Sequence, residues 1–108
     1  TRTYCFYSDA IDGILKVINS GYNGETYNVG NDNPELSALD LVNIFASVVD
    51  EKIDYKLVDY PDNYPQDEPN RRLPSIQKIR KYLSYDPVVS IEEGLLKTYN
   101  LVKDHFKD

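Results

Sequence analysis

The stretch SIQKIRKYLSYDP, residues 75–87, sets the fold of the second half of the chain. Its apolar residues Ile76, Ile79 and Leu83 recur at helical spacing, and Ser75 belongs to the residue types that cap helix N-termini. A proline, which cannot continue a helix, closes the stretch. The pattern therefore predicts a short helix over residues 75–83 whose apolar side faces inward.

The segments on either side of this helix differ in character. Residues 60–74 carry four of the six prolines and no periodicity, which predicts a long loop. Downstream, Ser90 and Glu93 have the spacing of a capping box. They introduce an apolar stripe that predicts a last helix running to the C-terminus, and its members are Ile91, Leu95, Thr98, Val102 and Phe106.

The first half alternates predicted strands and helices. Segments rich in β-branched and aromatic residues predict strands at residues 1–7, 25–30 and 53–57. Amphipathic stripes predict helices at residues 9–19 and 37–49, capped by Ser8-Asp9 and by a Ser37/Asp40 capping box respectively. The predicted order is β-α-β-α-β-α-α, a small α/β subdomain. A narrow sheet with apolar helices around it predicts that residues 1–108 form one unit that packs against something larger.

Composition and charge exclude two classes of binding partner. Lys and Arg number 12 against 18 Asp and Glu, so the net charge is −6, and an acidic chain is not drawn to nucleic-acid phosphates. No apolar run is long enough to cross a membrane. We therefore expect neither nucleic acid nor a membrane as a partner, and a cytoplasmic location. The single Cys5 excludes an internal disulfide and is predicted to be a small buried hydrophobe.

Residues suited to catalysis, cofactor binding or metal binding are sparse. The glycines form no phosphate-cradling or dinucleotide-binding loop, and the acidic residues of the proline-rich loop lack the spacing of a calcium loop. His105, the only histidine, is predicted to lie at a helix end. Tyr99 and Lys103 have the spacing of a proton-transfer pair, but no cofactor motif accompanies them. We expect no catalytic, cofactor-binding or metal-binding residue in this chain.

Three arginines are the basic residues of interest. Arg71 and Arg72 are adjacent in the proline-rich loop, and Arg2 opens the first predicted strand. Guanidinium groups present a planar fork of donors that suits phosphate oxygens, so these residues could close over an anion. Spacing alone favours a solvated surface position for each of them, because charged side chains are mostly exposed.

Four segments carry a family resemblance, and in chain order they are TRTYCFYSDA at 1–10, YNVG at 27–30, DEPNRRLPSI at 67–76 and LSYDPVVSIEEGL at 83–95. In that order and spacing they resemble motifs of the extended short-chain dehydrogenase/reductases, the NAD-dependent sugar-nucleotide epimerases, dehydratases and decarboxylases. Within the family they are most similar to UDP-glucuronate decarboxylases and dTDP-glucose 4,6-dehydratases. Ser75, Ser84 and Tyr7 depart from the family's usual Asp, Gly and Val.

The resemblance implies that the chain is the C-terminal sugar-nucleotide-binding subdomain of a longer enzyme of Rossmann type. In that family an N-terminal Rossmann domain binds NAD and carries the catalytic Tyr and Lys, which implies that this chain alone is inactive and holds no cofactor. The implied partners are that Rossmann domain and a UDP- or dTDP-sugar, with a homodimer left open. The implied diphosphate ligands are Arg2 and Arg72, with Arg71 as the alternative.

A second hypothesis is a non-catalytic interaction or ligand-binding module that kept the fold without the chemistry. The reading frame upstream of Thr1 discriminates between the two, since only the enzyme hypothesis requires a glycine-rich Rossmann domain there. The abrupt start inside a familiar motif favours the enzyme. The particular nucleotide sugar and the reaction, whether epimerisation, dehydration or decarboxylation, stay open.

Overall fold

The chain forms four α-helices in the computed structural model, which describes residues 1–105. They are α1 (Tyr7–Ile18), α2 (Ala38–Val49), α3 (Gln77–Leu83) and α4 (Ile91–His105). All four predicted helices are confirmed, each beginning within two residues of the predicted position. Phe106, assigned from the pattern to the last helix, lies outside the described residues.

The predicted α/β class is wrong, because none of the three predicted strands forms in the described part of the chain. Residues 1–7, 25–30 and 53–57 contain no ladder; Arg2 instead makes isolated bridges, antiparallel with Leu36 and parallel with Arg72. A strand needs a neighbour whose N–H and C=O groups match its own over several residues, and a single bridge supplies that match at one. The β-branched and aromatic residues therefore mark extended connections of an all-helical structure.

The helices pack as two pairs, α1 with α3 and α2 with α4. Between α2 and α4, the ring of Phe45 meets that of Tyr99 edge-on, with centroids 5.7 Å apart. The first pair encloses the core, in which Ile76 and Ile79 have no exposed surface and Leu83 packs against them. The inward positions predicted for residues 75–83 are confirmed.

Tyr85 completes this core and connects it to the preceding segments. Its side chain is fully buried, and its hydroxyl donates to the Gly30 carbonyl at 2.8 Å. The ring lies so close to α1 that a Cβ on Gly13 would stand 3.0 Å from it and 2.5 Å from Cγ1 of Val29. Cys5, with Sγ 3.7 Å from the Tyr85 hydroxyl, is half-buried rather than fully buried as predicted, and this burial raises the pKa of its thiol.

The helix caps divide into confirmed and wrong predictions. The capping box of α2 is present, with the Asp40 N–H donating to Ser37 Oγ and the Ser37 N–H donating to the Asp40 carboxylate. At α4 the Ser90 hydroxyl accepts from the Glu93 N–H at 3.1 Å, which forms the serine half of the predicted box. Ser75 does not cap α3, which begins two residues later without a side-chain cap.

Asp9 is likewise not the cap of α1, which begins two residues before it. It lies inside the helix, is 5% exposed, and accepts hydrogen bonds from the backbone N–H groups of Val88 at 3.1 Å and Val89 at 2.9 Å. The carboxylate therefore ties the first helix to the connection between α3 and α4, where it satisfies two partly buried backbone donors.

The apolar stripe of α1 faces outward. Ile11, Ile14, Leu15 and Ile18 are all at least 50% exposed, whereas the buried positions of this helix are Asp9 and Gly13. The Cα radius of gyration is 16.9 Å, compared with about 13 Å for a compact chain of this length. An apolar helix face without a cover in the described part of the chain is typical of a surface that packs against a further domain.

We predict that Tyr85→Phe lowers the free energy of unfolding by about 1–2 kcal/mol, because the buried Gly30 carbonyl loses its donor. Urea unfolding followed by circular dichroism measures the loss. Tyr82→Phe is the matched control, since that ring is 56% exposed, and it should change stability by less than about 0.5 kcal/mol. Equal stabilities for the two variants would show that the hydroxyl of Tyr85 contributes nothing.

We predict that Ser84→Gly stabilises the chain by about 0.5–1 kcal/mol. Ser84 caps the C-terminus of α3 in the left-handed region, with φ 53° and ψ 32°, where a Cβ is unfavourable and glycine is not penalised. The same change at Ser47, inside α2, should instead destabilise by about 0.5 kcal/mol. Thermal unfolding of both variants checks the opposite signs, and a destabilised Ser84→Gly variant would contradict the prediction.

Candidate functional site

The N-terminal segment and the proline-rich loop meet at a group of charged residues that we call the arginine cluster. Its members are Arg2, Glu35, Glu68, Arg71 and Arg72. Backbone hydrogen bonds join the N-terminal segment to the proline-rich loop and to a third segment, residues 35–36. The Arg2 N–H donates to the Leu36 carbonyl at 2.8 Å, and the Arg72 N–H donates to the Thr1 carbonyl at 3.0 Å. The bridges that fail to make a sheet therefore bring the three predicted arginines to one place.

Arg2 and Arg72 converge on a single oxygen atom. Nη2 of Arg2 lies 3.1 Å from Oε1 of Glu68, and Nη2 of Arg72 lies 3.3 Å from the same atom. Arg2 is held further by the carbonyls of Thr1 and Pro69, each 2.8 Å from one of its terminal nitrogens. The Arg72 side chain is 61% exposed, about twice the exposed fraction of the Arg2 side chain.

Arg71 contacts a different carboxylate. Its Nε and Nη2 donate to the two oxygens of Glu35 at 2.6 and 2.9 Å, and the Thr1 hydroxyl donates to the same carboxylate. These hydrogen bonds, that of Arg71 first, lower the pKa of Glu35 to about 2. Consecutive residues of an extended segment point to opposite sides, which explains why Arg71 and Arg72 reach different acids.

The sequence contained a signal for one of these carboxylates and none for the other. Glu68 precedes Arg72 by four residues and stands between Asp67 and Pro69, but among the acidic residues of the proline-rich loop it was considered only as a calcium ligand and rejected on its spacing. Glu35 is 36 residues from Arg71, and nothing local marks the pairing. The carboxylate that joins the predicted arginines is thus the part of the site that sequence reasoning missed.

A cleft borders the arginine cluster on the side of the proline-rich loop. It has a volume of about 420 Å³, and Glu68 and Asn70 line it together with two tyrosines. The rings of these tyrosines, Tyr60 and Tyr64, stack with centroids 4.2 Å apart and planes 17° apart. Glu68 therefore stands between the two guanidinium groups and an open cleft.

The remaining candidates lie away from the cluster. Lys103 sits over the ring of Tyr99, 5.4 Å from its centroid, and that ring packs on Phe45, while His105 is the last residue of α4. Residues 1–105 contain no group of three or more His, Cys, Asp or Glu side chains arranged to hold a metal ion. Over the same residues, no helix combines the length and apolar character needed to cross a bilayer.

We predict that Arg71→Ala raises the pKa of Glu35 from about 2 toward its ordinary value of 4.5, with part of the depression kept by the Thr1 hydroxyl. Because the folded-state pKa is depressed, the pairing stabilises the chain above pH 4.5 and this contribution is lost as the pH falls toward 2. NMR titration of the side-chain carboxyl carbon measures the shift. Arg72→Ala is the control and should leave this pKa near 2; equal shifts in both variants would contradict the assignment.

Comparison with known proteins places these residues in a family context. No family model matches the chain. It is similar to UDP-glucuronic acid decarboxylase 3 of Arabidopsis thaliana, 32% identical over 95 residues that cover 88% of this chain and 26% of that protein. It is 34% identical to UDP-glucuronic acid decarboxylase 1 of Danio rerio over 98 residues, 91% of this chain and 22% of that protein. The chain thus spans about a quarter of the length of the curated relatives it matches.

Solved structures give the same result. UDP-glucuronic acid 4-epimerase from Bacillus cereus, in complex with UDP-glucuronic acid and NAD, matches 97% of this chain and 35% of its own, with a TM-score of 0.79 and 22% identity. A variant of that epimerase in complex with UDP-4-deoxy-4-fluoro-glucuronic acid and NAD matches 94% of this chain and 32% of its own at 25% identity, with a TM-score of 0.79. Over most of its length the chain is therefore homologous to the UDP-glucuronate decarboxylases and UDP-glucuronic acid 4-epimerase, which confirms the resemblance to the extended short-chain dehydrogenase/reductases.

Proposed function

We propose that this chain is the substrate-binding part of an NAD-dependent nucleotide-sugar epimerase or decarboxylase, and that Arg2 and Arg72 bind the diphosphate of a UDP-sugar. The observation that carries the proposal is the convergence of two guanidinium groups on one anionic oxygen, at 3.1 and 3.3 Å. In this arrangement Oε1 of Glu68 stands where a phosphate oxygen would. A diphosphate offers several oxygens to the same donors and gains charge-assisted hydrogen bonds from both.

The contacts of the two neighbouring arginines favour Arg72 over Arg71 as the phosphate ligand. Arg71 forms a bidentate pair with Glu35, with bonds of 2.6 and 2.9 Å. Arg72 contacts Glu68 through one longer bond of 3.3 Å and is 61% exposed. A ligand would therefore displace a weaker interaction at Arg72 than at Arg71, and it would find Arg2 beside it.

NAD does not fit the residues described here. A dinucleotide site needs a glycine-rich turn between a strand and a helix, and residues 1–105 contain neither that turn nor a strand to precede it. NAD, which supplies hydride chemistry when bound, would then be held by the part of the relatives that this chain does not span. The outward apolar stripe of α1 (Ile11, Ile14, Leu15, Ile18) is the surface we propose for packing against that Rossmann domain.

The function of this chain is then to bind and to orient. Interactions with the diphosphate lie away from the sugar carbons that react, so their binding energy can be used to hold the sugar against the cofactor in a reactive position. Arg2 suits this role because carbonyl contacts on two sides fix its guanidinium group before any ligand arrives.

We predict that Arg72→Ala weakens the binding of UDP-glucuronic acid by about fivefold to tenfold, because a charge-assisted hydrogen bond at a partly exposed site is lost. The affinity is measured by NMR titration of the ¹⁵N-labelled chain, for which we expect a millimolar dissociation constant in the wild type. Arg71→Ala is the matched control and should change the affinity by less than about twofold. Equal effects of the two substitutions, or none, would remove Arg72 from the site.

A further inference from the structure

We propose that Glu68 is a built-in competitor of the diphosphate, a carboxylate that occupies the Arg2/Arg72 pair in the free chain and must leave when the ligand binds. The inference rests on the proposed function of the two arginines and adds a residue that tunes their affinity. It predicts that removing the carboxylate strengthens anion binding, whereas a carboxylate that served to position the arginines would weaken binding when removed.

The geometry favours competition because the carboxylate and the ligand would use the same donors. Glu68 Oε1 accepts from Nη2 of both Arg2 and Arg72, so a phosphate oxygen cannot take its place between them while it remains. Arg2 does not need the carboxylate to hold its position, since it also donates to the carbonyls of Thr1 and Pro69, each at 2.8 Å. A ligand would meet one fixed guanidinium group and one adaptable one.

Glu68 also has room to move away. Glu68 lines the cleft of about 420 Å³ beside the arginine cluster, and none of the core residues Ile76, Ile79 and Tyr85 lines it, so a side chain that rotates into that space displaces no core side chain. The residue belongs to the proline-rich loop, and its N–H makes a turn-type bond of 3.3 Å to the Pro65 carbonyl that the side-chain rotation leaves intact. The two salt bridges that would break are partly exposed, and exposed pairs of this kind are individually weak.

Charge gives the direction of the exchange. The carboxylate carries one negative charge and presents one oxygen to the two arginines, whereas a diphosphate carries at least two charges and several oxygens. The ligand therefore gains more from the same donors than the carboxylate does, and the exchange proceeds toward binding. The cost of displacing Glu68 nonetheless lowers the apparent affinity below that of an unoccupied arginine pair.

The test is a titration of the ¹⁵N-labelled 108-residue chain with inorganic pyrophosphate, in the wild type and in Glu68→Gln, Asp67→Asn and Arg72→Ala. Glu68→Gln should lower the dissociation constant about threefold to tenfold, by releasing the arginine pair. Asp67→Asn removes the same charge one residue away and is the matched control, with a change below about twofold. Circular dichroism checks that each variant keeps its helices. Glu68→Asp replaces Glu68→Gln if that variant does not fold, because its side chain is one methylene shorter and we expect it to lose at least one of the two ion pairs.

The outcomes separate this inference from the proposed function. Tighter binding by Glu68→Gln, beyond that of Asp67→Asn, supports the inference. If Arg72→Ala weakens binding but Glu68→Gln binds as the wild type does, or more weakly, the arginine site stands and the competitor role is overturned. Equal gains for Glu68→Gln and Asp67→Asn also overturn it, since they show a general charge effect. Absence of saturable binding in every variant overturns both proposals.

Discussion

The hydrogen bond from the buried Tyr85 hydroxyl to the Gly30 carbonyl is the contact around which the core of the α1–α3 pair is organised. Few residues are fully buried in the described part of the chain, and Tyr85 is the largest of them. Its ring packs near α1 at Gly13, and its hydroxyl reaches the last residue of the predicted second strand. A buried hydroxyl without a partner destabilises the fold by more than the hydrogen bond stabilises it. The Tyr85 ring therefore fills the core, while its hydrogen bond fixes the position of Gly30.

The arginine cluster is held by a different set of contacts. Backbone hydrogen bonds join Arg2 to Leu36 and Arg72 to Thr1, and ion pairs complete the cluster above them. Neither interaction uses the core at Ile76, Ile79 and Tyr85. Substitutions at two sites that share no partner usually have additive effects on stability. Substitutions in the core should therefore have little direct effect on the arginine cluster, and substitutions in the cluster should have little direct effect on the core.

The parts of this structure that sequence reasoning predicted are those that local rules control. The four helices follow from apolar periodicity and from the Ser37/Asp40 capping box, all of which act within a few residues. The prediction of strands was wrong because a ladder needs a partner strand that is distant in sequence. The β propensity of residues 25–30 or 53–57 does not reveal whether such a partner exists. The same reason explains which ion pairs of the site were predictable. Glu68 is four residues from Arg72, a spacing visible in the sequence, whereas Glu35 is 36 residues from Arg71 and the two come together only when the chain folds.

The motifs of the family resemblance contain residues that hold the fold together and residues that pair with one another at the surface. In the first motif Asp9 binds the backbone of Val88 and Val89, which lie in the last motif, and Tyr85 of the last motif binds Gly30 of the second. Each of these side chains binds backbone groups of another motif, so contacts within the fold account for it. Arg2 and Arg72, in the first and third motifs, instead share the partly exposed carboxylate of Glu68. Much of the collinear match to the family is thus explained by contacts inside the fold, and the proposed binding function is argued from the few residues whose partners could be exchanged.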